Sequence, residues 1–200
     1  MQKLAAKKLK LYRITLFGSF LTVLVLNAGC LYAQVEPKFG RLSLLEGSSE
    51  MKAYKNDLQS GMNFTEKHQG LLLNEGLPQL FLDGNRLERS QVRQRLQKVF
   101  FDSISDPTAY KTARDLAVTQ LSTLARSKEI SINGSINAAL FLGELKEQKG
   151  LLVTAATEPL SELVSDATLT PSVRIAALLG LGNRVKEARE SASGSPTAAN

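Results

Sequence analysis

Two apolar segments of the chain, residues 135–143 and 172–180, carry the same pattern of small and large side chains. They read SINAALFLG and SVRIAALLG, and four of the nine positions are identical when residue n is set against n + 37. The shared Ala-x-x-Leu-Gly spacing suits helix packing. The Ala lets a neighbouring helix approach closely, the Leu fills the contact, and the Gly relieves crowding where helices cross. The repeat therefore predicts stacked helices.

Apolar residues recur at helical spacing through the rest of the C-terminal half. Val92, Leu96 and Val99, for example, fall on one side of a helix. Asp106 followed by Pro107 is typical of an N-cap and a first helical residue, and Asn133-Gly134 indicates a break before the third helix. These patterns predict an all-α fold, with helices over residues 86–105, from 107, over 135–146, from 157 and over 171–189.

The segment before this helical domain differs in composition. In residues 34–85, glycine, serine and asparagine recur too often for long helices to run through. We expect a loosely ordered lead-in, with a short helix over 49–59 capped by Ser48 or Ser49 and a helix or extended segment over 71–82. Residues 86–190 form the predicted helical domain, and residues 191–200 have the composition of a flexible tail.

The repeated segments carry a resemblance to a known family. Residues 171–180, PSVRIAALLG, resemble the first-helix signature of HEAT-like repeats, including the bilin-lyase type of HEAT repeat. Glu158-Pro159-Leu160, with Leu163 and Asp166, is similar to the second helix of that repeat. The earlier copy departs from the signature, because Asn137 stands where an arginine is usual.

The resemblance implies antiparallel helical hairpins stacked as a short HEAT-like solenoid. For function it implies a non-catalytic protein-interaction module. The alternatives are an enzyme or enzyme subunit of the bilin-lyase type, or an envelope-anchored structural lipoprotein. A non-repetitive helical bundle with a chance internal match is the alternative for the fold.

The N-terminal residues have the organisation of an export signal. Lys3, Lys7, Lys8, Lys10 and Arg13 precede an uncharged apolar run over residues 14–26. At 1.5 Å per residue this run is only about 20 Å long as a helix, shorter than a bilayer core of about 30 Å. A basic start followed by a short apolar run is typical of a signal peptide. We therefore expect residues 1–33 to be a signal peptide and the body to be periplasmic, in the cell envelope, or secreted.

Two other ways of processing use the same residues. Residues 26–30, LNAGC, resemble a lipoprotein signal in which Cys30 is acylated, although Asn27 occupies a position that is usually aliphatic. Residues 14–33 could instead remain as an uncleaved signal anchor. A cytosolic protein with a buried N-terminal helix is the remaining alternative. If the protein contacts a membrane, we expect it to do so only through this N-terminal segment.

Removing residues 1–33 changes the charge of the protein. The full chain has 25 Lys plus Arg and 19 Asp plus Glu. Because the segment contains five basic residues and no acid, the mature chain keeps 20 of the former and all 19 of the latter, a net charge of +1. The only cysteine is Cys30, so the mature chain has no disulfide framework.

Known catalytic and metal-binding patterns are not found in the sequence. His68 is the only histidine, and we expect it to be a solvated surface residue. The carboxylates are scattered over helix ends and exposed faces, and no phosphate-binding loop or metalloprotease motif occurs. We predict no cofactor and no metal.

One predicted helix has a basic side. Arg86, Arg89 and Arg93 stand at i, i + 3 and i + 7. No aromatic residue is interleaved for base stacking, so nucleic acid is not expected as a ligand. We interpret this side as a solvated helix face, with an anionic envelope polymer or an acidic protein as the alternative ligand.

The fifth predicted helix is apolar on more than one side. Ile175, Leu178, Leu181 and Val185 belong to it, yet no further helix is predicted after it. Either residues 50–105 fold back over these side chains, or the face is available to another molecule, an unidentified protein partner.

The N-terminus of the protein isolated from the cells that produce it tests the export prediction. We expect mass spectrometry to find a free N-terminal Gln34, because Ala33 is the small residue that signal peptidase needs before the cut. An acylated Cys30 would instead identify a lipoprotein, and an intact N-terminal segment would identify an anchor.

Overall fold

The computed structural model describes residues 37–82, 84–85, 89–148 and 150–192. These residues fold into packed α-helices, and the prediction of an all-α fold is confirmed. The helices are α1 (Leu42–Gly47), α2 (Ser49–Gln59), α3 (Glu66–Leu71), α4 (Arg89–Phe100), α5 (Pro107–Arg126), α6 (Ile132–Glu144), α7 (Thr157–Ser165) and α8 (Pro171–Ala192).

Residues 37–82 form helices that contribute side chains to the core, which corrects the expectation of a loosely ordered lead-in. Leu42, Leu45, Tyr54 and Leu58 are all buried, and residues from Pro37 onward form one compact unit. The helix predicted over 49–59 is confirmed, and Ser48 caps it by accepting a hydrogen bond from the Met51 N–H at 3.1 Å. The frequent glycines shorten these helices, but the apolar residues between them still reach the core.

A tight stretch joins this region to the later helices. A π-helical turn over Leu72–Gly76 runs into a 3-10 turn over Leu77–Leu80, and both turns pack against α4. The Tyr54 hydroxyl donates to the Phe100 carbonyl at 2.8 Å and ties α2 to the end of α4. The segment predicted over 71–82 is therefore helical, but in two short turns of unequal winding.

The last four helices form two antiparallel hairpins. α5 pairs with α6, α7 pairs with α8, and the hairpins stack with α6 against α8 and α5 against α7. Asp106 caps α5 by accepting from the Ala109 N–H at 2.7 Å. The break predicted at Asn133-Gly134 is not observed, since Ser131 caps α6 and accepts from the Gly134 N–H at 3.2 Å, which places both residues in the first turn.

The hairpins meet at two glycines that are equivalent in the sequence repeat. A Cβ added to Gly143 would lie 2.6 Å from the Gly180 Cα, and one added to Gly180 would lie 2.9 Å from the Gly143 Cα. Each distance is too short for a carbon contact, so any other residue would push α6 and α8 apart. Gly182 is different, because a Cβ there would meet nothing within 4 Å.

Replacing these glycines by alanine tests this contact. We expect Gly143→Ala to lower the free energy of unfolding by about 1–3 kcal/mol, since the added methyl group must displace backbone atoms. The matched control is Gly182→Ala in α8. This change should raise the free energy of unfolding by about 0.5–1 kcal/mol, because alanine reduces the conformational freedom of the unfolded chain. Urea unfolding followed by circular dichroism measures both changes, and equal stability of the two variants would contradict the contact.

Candidate interaction surface

Helix α8 has an inner side that completes the core. Val173, Ala176, Ala177 and Gly180 are buried on this side, where α6 and α7 pack against the helix. Three of these four residues are Ala or Gly, so the neighbouring helices approach closely.

Polar contacts fix the rotation of α8 about its axis. Near its start, Arg174 Nε donates to the Val164 carbonyl at 2.9 Å. Near its end, the Glu187 carboxylate accepts from the Leu152 N–H at 3.0 and 3.1 Å. Rotating the helix to bury a different side would break the contacts at both ends.

Arg184 adds a third anchor between these two. Its guanidinium donates to the Val153 carbonyl and to the Leu142 carbonyl, the latter at 3.3 Å. Leu142 lies in the last turn of α6, where unpaired carbonyls favour a positive charge. Burial lowers the pKa of Arg184 below its usual value, and the nearby Glu187 opposes this shift.

The opposite side of α8 is apolar and open to solvent. Ile175, Leu178, Leu179 and Val185 are exposed to 57%, 56%, 57% and 54% of their full areas. Leu181 is half-buried at the edge of this side. We call Ile175, Leu178, Leu179, Gly182 and Val185 the outer face of α8. The sequence left open whether residues 50–105 cover these side chains. In the described part of the chain the outer face is uncovered.

The outer face has the spacing of a coiled-coil seam. Ile175, Leu178, Gly182, Val185 and Arg189 are separated by three, four, three and four residues. This alternation places them along one line on the helix, with Ile175 and Leu178 in the positions where coiled coils favour isoleucine and leucine. The seam residue Gly182 is missing from the partner surface predicted from sequence, although its place in the 3–4 spacing is visible in the sequence.

The predicted anion-binding side is divided in the structure. Arg86 lies outside the described residues, and Arg89 is half-buried at the start of α4. Arg93 makes a bidentate pair with Glu144, at 2.8 and 3.1 Å, and donates to the Asn137 Oδ1 at 3.0 Å. Its side chain is only 11% exposed. Arg93 therefore joins α4 to α6 and does not extend into solvent as a free anion ligand.

Asn137, the residue that departs from the repeat signature, has a role in the same network. Besides accepting from Arg93, its Nδ2 donates to the Leu80 carbonyl at 3.3 Å. It is buried between α4 and the 3-10 turn. The guanidinium of Arg93, from α4, thus lies directly against the Asn137 amide.

The expectation of a solvated His68 is wrong. His68 is 2% exposed. Its Nδ1 accepts from the Thr65 N–H at 3.2 Å as part of a capping box for α3, and its Nε2 lies 3.2 Å from the Asp57 Oδ2. The ring also borders a cleft of about 290 Å³ beside Tyr54. The imidazole therefore stabilises the junction of α2 and α3.

The described residues contain no group of three or more His, Cys, Asp or Glu side chains that could hold a metal ion. None of their helices is both long and apolar enough to cross a membrane. The processing residues Cys30, Ala33 and Gln34 lie outside the described part of the chain.

Comparison with protein families, curated proteins and solved structures finds no match for this chain. The outer face of α8 is the described feature that most directly indicates an interaction.

Proposed function

We propose that this protein is an exported, non-catalytic protein-interaction module, built on HEAT-like helical hairpins, and that it binds its partner through the outer face of α8. The observation that carries the proposal is the set of four large aliphatic side chains, each more than half exposed on one helix. Contiguous apolar surface of this kind is typical of sites that are covered by another molecule.

The energetic argument favours binding over a random surface pattern. Covering half of a leucine or isoleucine side chain contributes roughly 1–1.5 kcal/mol, by area. Four such side chains supply on the order of 5 kcal/mol before the entropic cost of association. Because three polar anchors and the glycine contact hold α8 in place, the protein cannot recover this energy by rotating the helix inward.

The non-catalytic part of the proposal rests on what the polar groups already do. Arg93 and Glu144 bond to each other between helices, and Asp106 caps α5. His68 completes a helix cap. These groups have structural partners, so a role in packing accounts for them without a reaction.

The export part of the proposal rests on the sequence alone. The basic residues at the start and the apolar run over 14–26 are typical of a signal segment. A mature chain that is almost neutral also suits apolar contact better than binding to a polyanion.

A double substitution on α8 tests the proposed function. The tagged full chain is used to retain binding proteins from the cell envelope. We expect the double variant Ile175→Asp, Leu178→Asp to retain at least one of these proteins about tenfold less than wild type does. The reason is that binding would remove two introduced charges from water. The control is Leu44→Asp on α1, because the Leu44 side chain is exposed to a similar extent, 61%. Quantitative mass spectrometry compares the retained proteins, and circular dichroism checks that each variant is folded. Identical sets of proteins for wild type and the double variant would refute the proposal.

A further inference from the structure

The seam on α8 is complementary to itself when two copies run antiparallel. If the copies are related by a two-fold axis at the level of residue 180, facing residues have numbers that add up to 360. Leu178 then faces Gly182 of a second copy, and Ile175 faces Val185. A large side chain therefore meets the open space above a glycine, where a Cβ would have nothing within 4 Å.

The edges of the seam match in the same arrangement. Leu179 and Leu181 flank the seam on opposite sides, each one residue from the axis. Antiparallel pairing brings each of them beside its own copy in the second chain. Leu179 is 57% exposed and Leu181 is half-buried in the single chain, so pairing would cover apolar surface on both sides of the axis.

The charges also favour the antiparallel arrangement. Lys186 and Arg189 are near the end of α8, and both are exposed. A parallel copy would place Arg189 against itself. An antiparallel copy places it near Pro171, at the other end of the helix, where Asp166 lies half-buried in the preceding loop. The like charges are thus separated, and a basic residue approaches an acidic one.

Gly182 is the residue that a single chain does not explain. Glycine inside a helix destabilises it relative to alanine, and nothing in the described structure needs the space above Gly182. Helix α8 contains a second glycine, Gly180, on its inner side. There the missing side chain allows the close contact with Gly143 of α6.

We infer that a second copy of this chain is the molecule that covers the outer face of α8, in an antiparallel pair about a two-fold axis at residue 180. The inference rests on the proposed function, because it names the partner of the same face. One helix pair buries less than a standard interface of about 1,600 Å², so the dimer should be weak, with a Kd on the order of 10–100 µM.

Sedimentation of the purified full chain tests for the dimer. We expect a monomer–dimer equilibrium in wild type, and at least a tenfold weaker association in Leu178→Asp. Leu44→Asp is the matched control and should dimerise like wild type. A wild-type chain that stays monomeric well above 100 µM would overturn the inference, as would a dimer that Leu178→Asp leaves unchanged.

Cysteine cross-linking tests the direction of pairing. Each introduced cysteine is placed in a Cys30→Ser background, where it is the only thiol, and is treated with a short bismaleimide. Leu179→Cys should cross-link to itself. Ile175→Cys should not, because its two copies would be about 15 Å apart along the axis, but it should cross-link when mixed with Val185→Cys. Self-linking of Ile175→Cys, with no product in the mixture, would overturn the antiparallel pairing.

These results separate the inference from the proposed function. If the purified chain is monomeric but the double variant still loses a protein from the cell envelope, the face binds a different molecule. The inference then fails and the proposed function stands. The opposite outcome is also possible: the purified chain dimerises as described, but the tagged double variant retains every protein that tagged wild type retains, including an untagged copy of the chain. The proposed function is then wrong, because the outer face of α8 is not needed for any interaction in the cell.

Discussion

The backbone contact between Gly143 and Gly180 is the constraint on which the stacked hairpins depend. Both positions must lack a side chain, because the helices α6 and α8 cross there at distances that leave no room for a Cβ. The contact sets how close the two hairpins come, and it turns one side of α8 toward α6. The side that remains outside is therefore decided by the same contact.

The contact bears on the proposed function because α8 carries apolar residues on both sides. Its inner side is filled with Val, Ala and Gly, while its outer face presents larger aliphatic residues to solvent. Arg174, Arg184 and Glu187 hold the helix at three levels. A helix fixed in this way keeps its apolar face exposed until another molecule covers it, which is what an interaction surface requires.

Local signals in the sequence predict the helices well where caps are clear. Ser48, Asp106 and Pro171 each begin a helix as expected. The prediction fails at Asn133-Gly134, because Ser131 caps the helix two residues earlier and a glycine is tolerated in the first turn. It also fails for His68, whose burial depends on Asp57, eleven residues away.

The candidate surface could be predicted only in part, for a physical reason. The 3–4 spacing of Ile175, Leu178 and Val185 is visible in the sequence, but its exposure is not, since residues 50–105 could have covered it. Arg93 shows the same limit. Its charge is visible, whereas its pairing with Glu144 joins residues 51 positions apart. Spacing identifies what a helix can present, and tertiary packing decides what it does present.

The central claim is that the outer face of α8 is covered in the assembled protein. The most direct measurement is the maleimide reactivity of Leu178→Cys, compared between the intact cell envelope and dilute purified protein, with peptide-level mass spectrometry. Leu44→Cys on α1 provides the matched exposed site. We predict at least a tenfold lower reactivity at position 178 in the envelope and no such change at position 44. Equal reactivity at position 178 in both settings would contradict the claim.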